Sequence, residues 1–509
     1  MRGGRAMRPL ALILTALAAL VLGVAAETFE ERVDVAPLPD GAIALTFRFD
    51  SSSSSSARHR SKTSKTLASV LAASRATELE LWFGRGRWNA RRWGASSVTA
   101  RPIGAEVRGS WRTRAEAERG WRTATTTLGG VFCASLSALW ESEATTEPML
   151  AFREWDGGAL GRRAIEGEDV VKHASLPAEA VCVENLAPWL KQLPCRDRAG
   201  LAKALKTAHT VFGASHLTFG LRLWTEGELV RVEQTLMMVL PGDGEAFKSV
   251  LGIIRSAKEN ACIATDRSLV HVMDGDDARM FDTASFDLSD SDVASLRTHL
   301  RKPQLFVERF LTGSGNENGG IVINVERAMN GADAPSVPIR ARLFQPLPWF
   351  VRMYTHTLSI EFDGRVAPKG ALEGIRYVPA QDRVRSSLIE MQIVIPANAS
   401  TMRLSVDFDK GFLRAHEFPP DANRGFDLPP ARLDFFSVKV DEGRGMEAAR
   451  ESRARPEAVY MNGLLLLLPT PDFSMSYNAA AMMGSAISAL LLTAMRSMTS
   501  REAWKEYRR

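Results

Sequence analysis

The 509-residue sequence is 45% hydrophobic, 24% charged and 8% aromatic, enough apolar surface for one large or two to three ordinary domains, which excludes a wholly disordered chain. Its formal charge of +5 is gathered at the ends: Arg2, Arg5 and Arg8 lie in the first 26 residues, and residues 496–509 carry a net +3. The body between is nearly neutral, which argues against a nucleic-acid partner and for membrane addressing.

In chain order, the basic start is followed by an apolar run Leu10–Leu22 and by Gly23-Val24-Ala25-Ala26. That pattern predicts a signal peptide over residues 1–26, cleaved after Ala26. Alternating Ile43–Phe49 predicts a half-buried strand, the Ser/Arg/Lys-rich stretch 51–66 a flexible loop, and 64–75 a helix. Further strands are expected at Leu79–Phe83, Leu229–Leu240, Gln304–Phe310, Ile321–Val325, His356–Phe362, Glu390–Ile395, Arg403–Phe408 and Phe435–Val440, divided by Gly, Pro, Asn and Asp. Helices are expected at 199–210 and at 244–259, where Phe247, Val250, Leu251 and Ile254 make one stripe. Many short strands with few helices predict a mainly β fold, a β-sandwich-rich lumenal body with a subdivision near 255–300. Ala479–Met495 carries no charge and is followed by Arg496, so a transmembrane helix is expected over 479–495 with a cytosolic tail over 496–509. The lumenal body then spans 27–470 and a juxtamembrane segment 471–478.

Chemistry-bearing residues are sparse. Cys133, Cys182, Cys195 and Cys262 would enter an oxidising lumen, where an even count permits three complete pairings, or one intrachain bridge, one bridge to another protein and one free thiol. No CxxC or HxxxH spacing supports a metal, and the seven aspartates between Asp274 and Asp292 lack the spacing of a calcium loop and read as an acidic loop. No GxSxG, HExxH, P-loop or dinucleotide motif is present, and Cys133, in the apolar context VFCASL, reads as inert core. Residues 82–122 hold ten arginines and five tryptophans, an interleaving that suits either anionic headgroups or an interface, or solvated arginines with tryptophans turned inward. Asn398-Ala399-Ser400 is an N-glycosylation sequon after an expected strand.

Several long blocks carry a resemblance: LELWFGRGRWNARRWG (79–94), VFCASL (131–136), VCVENLAPWLKQLPC (181–195), PWFVRMYTHTL (348–358), PAQDRVRSSLIEMQIVIPAN (379–398) and LPTPDFSMSYN (468–478). In that order, nearly end to end, they resemble the PIG-T family, the large lumenal subunit of the glycosylphosphatidylinositol (GPI) transamidase. The chain departs from the family at Ser476, where a proline usually stands before the membrane helix.

The resemblance implies a non-catalytic subunit, without metal or cofactor, of an endoplasmic reticulum complex that removes a C-terminal signal and joins a GPI lipid to the new carboxyl end. The nucleophile belongs to a caspase-like partner, PIG-K, and other membrane subunits, GPI lipid and proprotein substrates complete the set of partners. It implies an interchain disulfide at Cys182, an intrachain pair Cys195 and Cys262, and Cys133 as a buried free thiol. Asp472, Phe473, Tyr477 and Asn478 are the expected contacts for GPI or neighbouring subunits. The expected location is the endoplasmic reticulum membrane, as a single-pass type I protein with its body in the lumen. Two readings from other classes compete: a stand-alone lumenal cysteine hydrolase, and a type I cell-surface β-sandwich receptor.

Overall fold

The computed structural model describes residues 27–56, 59–95, 100–141, 144–152, 169–242, 244–275, 277–289, 292–293, 295–298, 302–313, 315, 317–328, 337–418, 421, 424–437, 457–470, 473–499 and 505. The expected signal peptide and Asp472 lie outside them. The chain forms two compact units, Met1–Gly411 with Asp427–Leu466, and Phe412–Phe426 with Leu467–Arg509.

The first unit opens with a nine-stranded sheet made of β1 (Thr28–Pro37), β2 (Ala42–Ser54), β3 (Glu78–Arg85), β4 (Gly104–Trp111), β5 (Val170–Leu176), β6 (His216–Glu226), β7 (Leu229–Pro241), β8 (Arg267–Asp274) and β9 (Asp277–Asp282), in the order β5-β4-β3-β6-β7-β2-β1-β8-β9. Neighbours are antiparallel except β1 and β8. Alternation decides what each face meets. Leu79, Leu81 and Phe83 of β3 lie opposite Leu223, Leu221 and Phe219 of β6, all fully buried. This apolar face packs against helices α1 (Lys65–Ser74), α2 (Arg114–Phe132), α3 (Val183–Lys191) and α4 (Glu245–Arg255). Buried indoles are also hydrogen-bonded: Trp111 donates to the Ser74 carbonyl at 2.9 Å and Trp189 to that of Gly220 at 2.8 Å.

The later strands build two more sheets. One contains β10 (Leu305–Thr312), β11 (Asn318–Arg327), β13 (Val351–Met353), β14 (Ser359–Phe362), β15 (Arg365–Val366) and β18 (Thr401–Lys410). The other contains β12 (Ile339–Leu347), β16 (Leu372–Val378), β17 (Ser387–Ile395), β20 (Arg432–Ser437) and β21 (Glu457–Tyr460). Short strands β19 (Phe426–Leu428) and β22 (Leu464–Leu466) complete the set. Each sheet has one apolar face: Ile321, Ile323 and Val325 oppose Val406, Leu404 and Met402, and Ile339, Ala341 and Leu343 oppose Ile395, Ile393 and Met391. The molecule is mainly β, as its alternating sequence predicts.

Some expected elements shift. The serines at 51–54 belong to β2, with Ser53 fully buried, because the backbone ladder to β7, joined at Ser51 and Ser52 by that to β1, asks nothing of the side chains. The stretch 199–210 divides into a 3₁₀ turn (Leu201–Leu205) and a short helix (Ala208–Phe212). His356 lies in a 3₁₀ turn ahead of β14, and of the strand expected at Phe435–Val440 residues 438–440 lie outside the described residues. The aspartate-rich stretch contains the β8–β9 hairpin, where Asp274 is paired with Arg279 and Arg297. Among the described residues no cluster of His, Cys, Asp and Glu fit for a metal occurs.

In the second unit, α5 (Phe473–Thr499) runs 27 residues, longer at both ends than the apolar stretch 479–495. Its segment Tyr477–Thr499 is long and apolar enough to cross a membrane.

Candidate functional site

Cys182 occupies the position just before α3, with extended backbone angles (φ −143°, ψ −173°). The helix starts there because Asn185, one turn on, turns its side chain back: Asn185 Oδ1 accepts the Cys182 N–H at 2.9 Å. Its Nδ2 donates to the carbonyls of Phe132 and Cys133 at 2.9 and 3.3 Å, the end of α2. Trp189 anchors the far half of α3 through the bond to Gly220, and its own carbonyl accepts from Gln234 at 2.9 Å.

This platform carries Cys182 into an open groove of about 630 Å³. Val181 and Val183 flank the cysteine, the end of β3 contributes Gly84 and Arg85, the lead-in to β4 contributes Ile103, and the helix Ala208–Phe212 contributes His209 and Phe212. Ile103 is 53% exposed and Val183 48%, so apolar surface faces solvent around a half-buried free thiol. Arg85 donates to the Phe212 carbonyl at 2.7 Å and so joins two walls.

Cys195 and Cys262 are disulfide-bonded, tying the segment after α3 to the segment after α4 across a sequence separation of 67. Cys133 is free and exposed rather than buried. The reason is local: α2 ends there in a left-handed turn (φ 51°), so the apolar neighbour Phe132 faces the core and the cysteine does not. Asn398 is exposed in the turn between β17 and β18. Phe473, Tyr477 and Asn478 fall within the first turns of α5, with Tyr477 and Asn478 exposed.

The other face of β3 is of opposite character. Glu78 and Glu80 alternate with the buried leucines and are themselves buried. Arg108 donates to both, at 2.8 and 2.7 Å, and Arg222 to Glu78 at 3.0 Å. Arg101 reaches Glu106 at 3.0 Å, and Tyr460 of β21 joins both residues. Burial alone would push the Glu106 carboxyl up, but the Arg101 charge and the His173 hydrogen bond hold it down to about 2. The same burial, only partly offset by Arg101, pushes the Tyr460 hydroxyl up to about 12. Of the arginines in 82–122, the buried Arg101 and the part-buried Arg108 are therefore ion partners rather than solvated side chains.

A second tie explains part of the block 379–398. Glu390 is fully buried and accepts the N–H groups of Met149, Leu150 and Ala151 at 2.8–2.9 Å, together with Arg376 at 2.7 Å. These bonds fix the segment before β5 onto β16 and β17. Sequence reading alone does not find Ile103, Phe212 or the role of Asn185. The local signal was a Cys-x-x-Asn spacing before an amphipathic helix, which places the asparagine over the helix start.

Comparison with known proteins matches the chain to the family described as "Gpi16 subunit, GPI transamidase component" over residues 12–284 and 268–508. The mouse protein "GPI-anchor transamidase component PIGT" is 28% identical, covering 89% of this chain and 86% of its own length. The fission yeast "GPI transamidase component PIG-T homolog" is 27% identical with the same coverage, and budding yeast "GPI transamidase component GPI16" is 26% identical over 88% of this chain and 85% of its own.

Proposed function

Because the chain belongs to the Gpi16 family of GPI transamidase components, we propose that this subunit is a non-catalytic scaffold that holds and positions the caspase-like catalytic subunit at the endoplasmic reticulum membrane. The observation that carries this reading is the free thiol of Cys182 at the rigid start of α3, in an apolar groove whose rim residues Ile103 and Val183 are exposed. Exposed apolar surface around a thiol suits a partner that first docks and then bonds. Bridge formation passes two electrons and two protons from the paired thiols to a disulfide oxidant of the lumen. The bond turns a dissociable contact into a tethered one and raises the effective concentration of the two domains to about millimolar.

In this reading residues 1–26 are the cleaved signal, the body 27–470 is lumenal, and α5 spans the membrane as a type I anchor. Asp472, Phe473, Tyr477 and Asn478 meet GPI or neighbouring subunits at the interface, and Asn398 carries a glycan. The test is non-reducing electrophoresis of the complex. Wild type and Cys133→Ser give a reducible heterodimer band and Cys182→Ser does not, with transamidation lowered but not abolished. A band that survives Cys182→Ser overturns the bridge.

A second reading, a cysteine hydrolase, draws on His209, which lines the same groove as Cys182. Turnover of a GPI-signal peptide by the purified chain alone, lost in Cys182→Ala, would favour it over the scaffold.

A further inference from the structure

The geometry points to Asn185 as the residue that positions the Cys182 thiol for its bridge, an assignment that rests on reading Cys182 as the interchain cysteine. Asn185 is 1% exposed, and both ends of its amide are engaged at this one place. Oδ1 accepts the Cys182 N–H at 2.9 Å, while Nδ2 spans the carbonyls of Phe132 and Cys133 at 2.9 and 3.3 Å. Helix ends leave such groups without intrahelical partners. A single side chain therefore satisfies the start of α3 and the end of α2 together.

The consequence is mechanical. Helix α2 is pinned in the core through Trp121, Leu128 and Phe132, and α3 through Trp189. Asn185 Oδ1 ties the Cys182 N–H back onto α3, which Trp189 holds in the core, so the Cys182 backbone is fixed before any partner arrives. A thiol presented from a fixed backbone has less freedom to lose when it bonds, and its encounter with a second thiol is correspondingly more productive. The acceptor bond to the Cys182 N–H is the positioning element, whereas the two donations to α2 serve packing.

That division sets the experiment, performed on the full-length chain co-expressed with its complex. Asn185→Leu removes both functions, and Asn185→Asp keeps the acceptor while giving up the donations. At equal subunit levels the reducible heterodimer should fall about fivefold or more in Asn185→Leu and stay within about twofold of wild type in Asn185→Asp. Hydrogen exchange at the Cys182 amide should quicken about tenfold in the leucine variant only. A residue that merely fills the core predicts the reverse order, because a buried carboxylate facing two carbonyls is the worse substitution. Leucine indistinguishable from wild type, or aspartate as impaired as leucine, overturns the assignment.

If the leucine variant does not accumulate, Asn185→Ser, too short to span the same atoms, takes its place with the same expected losses. Should wild type give no reducible heterodimer, the Cys182 reading fails. The positioning role is then judged by N-ethylmaleimide labelling of Cys182 relative to Cys133 in the same chain. A change of about threefold in the leucine variant and none in the aspartate variant supports it, and no change in either overturns it.

Discussion

Strand β3 serves two regions of opposite design. At its start Glu78 and Glu80 enter a buried seam in which Arg101, Arg108 and Arg222 supply the opposing charges, and at its end Gly84 and Arg85 border the open groove that holds Cys182. The seam joins the nine-stranded sheet to β20 and β21 through Tyr460, which bonds Arg101, Arg432 and Glu106. Buried charges of this kind hold a geometry because leaving one unpaired is costly. The groove does the contrary and leaves apolar surface open to solvent around a half-buried free thiol. The carboxylates of the seam are paired within the chain, while the thiol of the groove is left free.

The contrast breaks first at Glu390. Glu390→Ala should cost roughly 3–5 kcal/mol, because it removes a fully buried carboxylate that accepts three N–H groups and pairs with the part-buried Arg376. Denaturant unfolding of the lumenal body checks this, and a loss below about 1 kcal/mol would mean that the tie is not structural. Next in size is the disulfide. Its separation of 67 residues predicts a loss of about 4 kcal/mol in Cys195→Ser, from the freed entropy of the unfolded chain. The same denaturation curves read it, and Cys182→Ser should leave them unmoved.

Acid sharpens the comparison further. His216 is fully buried; burial drives its imidazole down to about 4, only partly opposed by its hydrogen bond to the Gly86 carbonyl. The depressed value means that the unfolded chain takes up this proton first, so the contribution is complete above about pH 6.5 and is lost as pH falls toward 4, roughly 3 kcal/mol in all. Glu106, held near 2, adds a further loss below about pH 4.5. Stability measured against pH should therefore decline in two stages, and His216→Gln should flatten the upper one. The smallest effect on stability belongs to the groove: Ile103→Asp should shift unfolding by less than about 0.5 kcal/mol yet lower heterodimer recovery severalfold. Unchanged recovery would remove Ile103 from the interface.

Much of the fold is legible in the alternation of residues. Ile43–Phe49, Leu229–Leu240 and Arg403–Phe408 each read as strands and each lie within one. The stripe Phe247, Val250, Leu251 and Ile254 reads as a helix face and is buried as one. Strands rich in polar or arginine residues, such as β4 and β12, escape this reading because local periodicity cannot tell a paired buried charge from a solvated one. In β3 the pattern Glu-Leu-Glu-Leu gives the correct period, but the burial of its glutamates comes from the arginines packed on that face. The serines of 51–54 mislead in the other direction, since their place in β2 comes from backbone bonds to β7 and, at Ser51 and Ser52, to β1 as well.

The sequence by itself determined the strand and helix periods, the apolar C-terminal span and, through its long matching blocks, the family. Those signals are local in the chain or repeated across relatives, so they survive without coordinates. Tertiary structure alone decided which carboxylates are buried, which cysteine faces out, and which side chains surround Cys182. Residues 84–85, 103, 179–183 and 208–212 become neighbours only when β3, the lead-in to β4, α3 and the short helix before β6 have packed. Burial is a property of that packing, and a side chain's charge state and partners follow from burial rather than from its place in the sequence.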